Sequence, residues 1–268
     1  MEKVIGFIGS GNMAGAMIGG IVTSGLVKSD KVIASNPHEG KLNVLKEKYN
    51  ISITTDNKET ASKADILFLS VKPAMYAEVI NEIKNCIKEN VIIVVIAAGK
   101  SIKEVHNLFG KDVKIVRTMP NTPALVGEAM SAICPAEDIT EEELNDIKDI
   151  FNSFGKCEVI AEYLIDAVTG VSGSSPAYVY IFIEALADAA VLGGMKRDQA
   201  YKFAAQSVLG SAKMVLETGE HPGALKDQVT SPAGTTIEAV AELERLGMRN
   251  AVISATTKCI EKSKAMSK

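Results

Sequence analysis

The sequence is poor in the residues that bind metals or form cross-links. Its four cysteines, Cys86, Cys134, Cys157 and Cys259, show no CxxC spacing and no Cys/His cluster, so reduced thiols are expected. The three histidines, His38, His106 and His221, are too dispersed to suggest a metal site, and no metal is expected. An excess of one charge is also missing. With 29 basic and 33 acidic residues the formal net charge is -4, and there is no Lys/Arg-rich run. That composition gives no electrostatic reason to expect nucleic acid or an anionic membrane as partner. Met1-Glu2-Lys3 leads straight into the apolar run Val4–Ile8 and then glycine, unlike a signal peptide, and a cytoplasmic location is expected. Long apolar runs are scarce. Ala177–Met195 comes nearest, but Glu184 and Asp188 interrupt it, so the expectation is a helix buried in protein rather than a membrane span.

What is present is the composition of a globular protein, with 47% hydrophobic and 23% charged residues over 268 positions. In the first half, short apolar runs alternate with helical patterns. Lys3–Ile8, Lys31–Ser35, Ile66–Val71, Val91–Ala97 and Val113–Thr118 read as strands of a parallel sheet covered on both faces. Ala14–Ser24, Lys41–Tyr49 and Ala74–Lys88 read as the helices between them. Thr140–Phe154 reads as an amphipathic helix with Thr140 and Glu143 in a capping box, and Lys156–Ile160 as a last strand. Beyond Glu162 the chain reads as helical. The expectation is an α/β fold: a Rossmann-type doubly wound domain over residues 1–160, then an all-α domain over 161–268. The second half has more apolar helix faces than a small bundle can bury, so a homodimer or a higher multiple is expected.

The strongest local motif is Gly6–Ala14, in which Gly9, Gly11 and Ala14 fit GxGxx[G/A] between a strand and a helix. Gly9 permits the tight turn, Gly11 lets the backbone approach a pyrophosphate, and Ala14 lets the helix pack close to the strand. At the tip of the second strand, Ser35-Asn36-Pro37-His38 offers neither an acid for a ribose 2′-hydroxyl nor an Arg for a 2′-phosphate. NADPH is expected, with NADH possible. Val71-Lys72-Pro73, Ala97-Ala98-Gly99 and Met119–Pro123 follow later strands, where an open α/β sheet binds its ligands. In the second half, Ser231 is expected to cap a helix with Pro232 at its first position, and Gly234, Thr235 and Thr236 crowd that helix start with small residues and hydroxyls. Free amides and hydroxyls there would make a carboxylate site without any Arg; an ordinary helix cap is the plainer alternative.

Together these blocks resemble the pyrroline-5-carboxylate reductase family along essentially the whole chain. The matching segments are Gly6–Ala14, Asn57–Thr60, Val71–Pro73, Ala97–Gly99, Asn121–Pro123, Leu164–Tyr178 and His221–Ile237. The last two are the most specific, and Ser175 stands where some members have glycine. The resemblance implies a Rossmann domain followed by a helical dimerisation domain, with an active site completed by the partner subunit. It also implies roles. Gly9, Ser10, Gly11, Asn12 and Met13 would hold the pyrophosphate, and Asn36 and Asn57 the adenosine ribose or its phosphate. Val71, Lys72, Pro73, Ala97, Ala98 and Gly99 would line the nicotinamide side, with Gln228 a further cofactor contact. Glu162, Ser231, Gly234, Thr235 and Thr236 would bind the substrate, Thr236 nearest the reacting nitrogen. The implied reaction reduces a small cyclic imino acid to proline. Such a protonated imine is already a good hydride acceptor, which fits a helical half with no His or Lys in a catalytic motif. Two other readings compete: a different imine or β-hydroxyacid reductase, which would need a Lys or Asp acid there, and a non-enzymatic NADP-binding regulator.

Overall fold

The structure is a computed structural model and describes residues 1–266. It has two compact units: Met1–Ser174 together with the chain from Cys259 on, and Ser175–Lys258.

The first unit is built on one eight-stranded sheet of order β3-β2-β1-β4-β5-β6-β7-β8. The strands are β1 (Ile5–Ile8), β2 (Val32–Ser35), β3 (Ser52–Thr54), β4 (Ile66–Leu69), β5 (Ile92–Val95), β6 (Lys114–Met119), β7 (Ala129–Pro135) and β8 (Gly155–Val159). Strands β1 to β6 are parallel, β7 runs antiparallel to β6, and β8 is parallel to β7. The helices are α1 (Asn12–Thr23), α2 (Glu39–Tyr49), α3 (Asn57–Lys63), α4 (Tyr76–Ile83), α5 (Ile102–Phe109), α6 (Glu141–Asn152) and the single turn α7 (Ile165–Val168). They cover both faces, which is why β1, β2, β4 and β5 are buried at every residue instead of alternating. On one face Phe7 and Phe68 stack with ring centroids 4.6 Å apart. Met17, Ile18 and Ile21 of α1 and Ile147, Ile150 and Phe151 of α6 belong to the same core. On the other face Tyr76, Val79, Ile80 and Ile83 of α4 meet Val105 and Phe109 of α5. The expected capping box is present: the Glu143 amide donates to Thr140 Oγ1 at 3.3 Å, and the Thr140 amide donates to Glu143 Oε2 at 3.0 Å.

The second unit is helical, with α8 (Ser175–Leu192), α9 (Arg197–Thr218), α10 (Pro222–Gln228), α11 (Thr235–Arg245) and most of α12 (Met248–Met266). Its buried core is small: Ala187, Ala200 and Ala204, flanked by Ile183, Ala190, Val191 and Met195.

By contact the chain divides at Ser174/Ser175, and the last turns of α12 return to the first unit. The segment after 160 stays with the sheet because Ile165 is buried with Met119, Ala132 and Cys134, and Ser263 Oγ donates to Asp166 Oδ1 at 2.6 Å. Within one chain only Ala187 of α8 is buried, so the apolar helix over Ala177–Met195 keeps the open faces for which cover by a second subunit is expected. Tyr180, Ile181 and Leu192 are 59%, 66% and 91% exposed. Glu162–Leu192 is also long and apolar enough to cross a membrane by composition alone.

Candidate active site

The glycine-rich turn joins β1 to α1, and its backbone explains its sequence. Gly9 has φ +99, and its amide donates to the Ser35 carbonyl at 2.8 Å. A Cβ there would lie 2.6 Å from the Ser70 carbonyl oxygen, so both conformation and space demand glycine. Gly11 differs. A Cβ on it would meet nothing within 4 Å, so no internal packing requires glycine there. The requirement fits a ligand that must come close to the backbone. Gly11 is also the N-cap of α1, with no side-chain cap and no acid in the first turn, so amides and helix dipole stay open to an anion. Ser10 is buried, and its Oγ has no partner, as is true of Ser70 Oγ across the turn. Buried hydroxyls left unpaired beside an open helix N-terminus fit a dinucleotide pyrophosphate. Asn12 is exposed, Met13 half-buried, and Ala14 fully packed against the sheet.

At the end of β2, Ser35 Oγ donates to Asn57 Oδ1 at 2.8 Å, and Asn57 Nδ2 donates to Glu82 Oε2 at 2.8 Å. Asn36 Nδ2 donates to the His38 carbonyl at 3.0 Å. After β4, Val71 and Pro73 are half-buried and Lys72 is exposed. After β5, Ala97 and Gly99 are buried and Ala98 is half-buried, with Gly99 at φ +75 against the Met266 carbonyl. Tyr76, absent from the sequence expectations, ties these two loops together. Its hydroxyl donates to the Leu69 carbonyl at 2.7 Å and lies beside the backbone of Ile96 and Ala97. Burial raises its phenol well above the usual range, so it stays a neutral donor. Tyr76→Phe is expected to cost about 1–2 kcal/mol of stability by leaving the Leu69 carbonyl unpaired. It should also raise KM for the dinucleotide more than it lowers kcat; thermal melts and initial rates check both.

Asn121, in the loop after β6, is committed to the fold: Nδ2 donates to the Ser172 carbonyl at 3.0 Å, and Oδ1 accepts from the Met130 amide at 3.0 Å. Glu162 is committed through one oxygen. Its Oε1 accepts from Arg117 Nη1 and from the Ile102 amide, both at 2.9 Å. Neither bond uses Oε2. Arg117 is almost fully buried on β6, with Nε and Nη2 unpaired. Cys134 sits opposite it on β7, and burial pushes that thiol up to about 11, so it is protonated and inert at neutral pH.

In the helical unit, the structure corrects the expected cap. α11 begins at Thr235 with Gly234 as its N-cap, not at Pro232 with Ser231 as cap. Ala233 adopts a left-handed φ of +56, which no helix can continue through. Residues 231–234 instead form a turn in which the Gly234 amide donates to the Ser231 carbonyl at 3.1 Å. Any Cβ on Gly234 would collide with Ser231 Oγ. The outcome for chemistry is the same: α11 has no side-chain cap, and Gly234, Thr235 and Thr236 stand at its open N-terminus. Gln228, at the end of α10, donates from Nε2 to Glu220 Oε2 at 2.7 Å. Among the described residues no group of three or more His, Cys, Asp or Glu could hold a metal.

Residues 162–266 match the model for pyrroline-5-carboxylate reductase dimerisation, and residues 4–99 match that for the coenzyme F420-dependent NADP oxidoreductases. The chain is 54% identical to the pyrroline-5-carboxylate reductase of Escherichia coli (strain K12) over 268 residues, all of both chains. It superposes on the pyrroline-5-carboxylate reductase of Coxiella burnetii with a TM-score of 0.93 at 33% identity, covering 100% of each chain. It superposes on the pyrroline carboxylate reductase of Plasmodium falciparum with NADP bound with a TM-score of 0.90 at 33% identity, covering 99% of this chain and 98% of that one.

Proposed function

The chain belongs to the pyrroline-5-carboxylate reductase family, and on that premise we propose how its own residues carry the reaction. The protein is an NAD(P)H-dependent pyrroline-5-carboxylate reductase, an oxidoreductase that converts the cyclic imine of 1-pyrroline-5-carboxylate to proline. The observation that carries the cofactor assignment is the pair formed by open Gly11 and buried, unpaired Ser10 Oγ at the start of α1. Gly9, Ser10, Gly11, Asn12 and Met13 hold the pyrophosphate, and Asn36 and Asn57 the adenosine ribose. Val71, Lys72, Pro73 and Ala97–Gly99 line the nicotinamide side, and Gln228 adds a contact. When bound, the nicotinamide supplies a hydride to the imine carbon.

The remaining work is positioning and charge. The amides opening α11, with Ser231, Gly234 and Thr235, anchor the substrate carboxylate against the positive end of the helix. Thr236 orients the ring nitrogen through its hydroxyl. A threonine hydroxyl is too weak an acid to drive proton transfer, and a protonated imine does not require it. Glu162, fixed through Oε1, has Oε2 left to meet the substrate. The protein acts in the cytoplasm.

The test is direct. Purified protein should oxidise NADPH, and NADH to some degree, only when pyrroline-5-carboxylate is present, with proline formed in equal amount. Cofactor binding without turnover would favour a regulator built on an inactive reductase.

Self-association follows from α8, whose exposed apolar residues fall within the matched dimerisation region. The cover is a second copy of the chain, in a homodimer or a multiple of it. Light scattering at micromolar concentration should give twice the 28.5 kDa chain mass or a multiple of that. A clean monomer would defeat the assignment.

A further inference from the structure

We propose that Glu82 sets the preference between NADPH and NADH, acting through Asn57. The inference rests on Asn57 lying at the adenosine ribose, and it is carried by the polarity of one hydrogen-bond chain. Ser35 Oγ donates to Asn57 Oδ1, and Asn57 Nδ2 donates to Glu82 Oε2, each at 2.8 Å. An ionised carboxylate only accepts, so Glu82 fixes which way the Asn57 amide points. That orientation turns Oδ1 toward Ser35, and the Ser35 hydroxyl must then donate its only proton inward. Ser35 is fully buried, so only the second Asn57 N–H and the acid itself remain for a ligand.

A ribose 2′-hydroxyl is matched to this arrangement. It can donate to an acceptor and accept from the spare N–H. A 2′-phosphate has no proton to give and carries about two negative charges, so the Glu82 carboxylate weakens its binding and narrows the margin of NADPH over NADH without excluding NADPH. The strand tip that ought to select the cofactor carries neither acid nor Arg, because Ser35-Asn36 ends β2. The acid is supplied instead from α4, 25 residues further along the chain from Asn57. Glu82 is exposed, so its effect is moderate and screened by salt. Lys58, also exposed and next to Asn57, is the nearest cation in sequence that could receive the phosphate.

Glu82→Gln removes the charge and lets the Asn57 amide reverse, because glutamine both donates and accepts. The ratio of kcat/KM with NADPH to that with NADH should rise about tenfold at low salt. The gain should shrink as ionic strength is raised. Calorimetric titration with 2′,5′-ADP and with 5′-AMP gives the same comparison without turnover; only the former should bind more tightly to the variant. Asn57→Ala serves as the reference variant. If Asn57→Ala changes the ratio and Glu82→Gln leaves it within twofold, the proposal is overturned while the ribose assignment stands. If neither variant moves it, Asn57 is not at the ribose, and both readings fall.

Discussion

Glu162→Ala is expected to lower the unfolding free energy by about 3 kcal/mol, roughly 6–12 °C in melting temperature for a chain of this size. The reason is the charge left behind. Arg117 is 5% exposed on an interior strand, and Glu162 is its only ion-pair partner among the described residues. Removing the acid strands a buried guanidinium whose Nε and Nη2 are already unpaired. It also leaves the Ile102 amide, at the first turn of α5, without its acceptor. Glu162 is itself about one-third exposed, which places the expected loss at the lower end for broken buried pairs. The double variant Arg117→Met/Glu162→Leu removes both charges and should be more stable than Glu162→Ala alone. Thermal unfolding of the three proteins decides. Equal melting temperatures for wild type and Glu162→Ala would show that water reaches Arg117 and that the pair does not hold the chain after β8 to the sheet.

This pair shows where sequence reading stopped. The strands β1, β2, β4, β5 and β6 were legible because burial on both faces writes itself as continuous apolar runs, and the capping box of α6 because its two residues are local. β3 was missed because a three-residue edge strand, Ser52–Thr54, has too few residues for a period to show. β7 was missed because Ala129–Pro135 is mostly small residues and returns antiparallel after a loop with no α-helix, against the βα rhythm of the rest. Arg117 carried a signal that went unused: a charge inside the apolar run Val113–Thr118 needs a partner, and spacing alone cannot say that it lies 45 residues away. The start of α11 was misread for a different reason. Ser-Pro is a good helix opening by propensity, and only the left-handed Ala233 shifts the helix on to Gly234. Gly234, Thr235 and Thr236 stand at the helix start on either reading of the cap. Tyr76 and Glu82 could not be found from sequence, since both act through tertiary hydrogen bonds from α4.

Reduction of 1-pyrroline, which lacks the carboxylate, is expected to be slower in kcat/KM than that of pyrroline-5-carboxylate by at least about 100-fold. The two imines are equally reducible, so the difference isolates the anion. The turn 231–234 and the first residues of α11 contain no Arg or Lys. Recognition must therefore come from amides, hydroxyls and the helix dipole, each weak in water and stronger once water is excluded. A site that loses its ligand's charge keeps those donors unpaired, which is why the penalty exceeds that of one missing hydrogen bond. Thr236→Ala separates the other half of recognition. It should lower kcat/KM for pyrroline-5-carboxylate by roughly 10- to 150-fold and leave cofactor affinity intact. Its effect on 1-pyrroline should be similar, because the hydroxyl serves the ring nitrogen that both substrates carry. Gly234→Val should instead narrow the gap between the two substrates, because its side chain collides with Ser231 and distorts the amides that hold the carboxylate. Proline and other five-membered cyclic acids should compete with substrate on wild type and lose that ability on Gly234→Val. Steady-state rates on the three proteins with both imines give the full comparison. Equal turnover of the two imines by wild type would move the carboxylate elsewhere and leave the small residues before α11 as nothing more than a helix start.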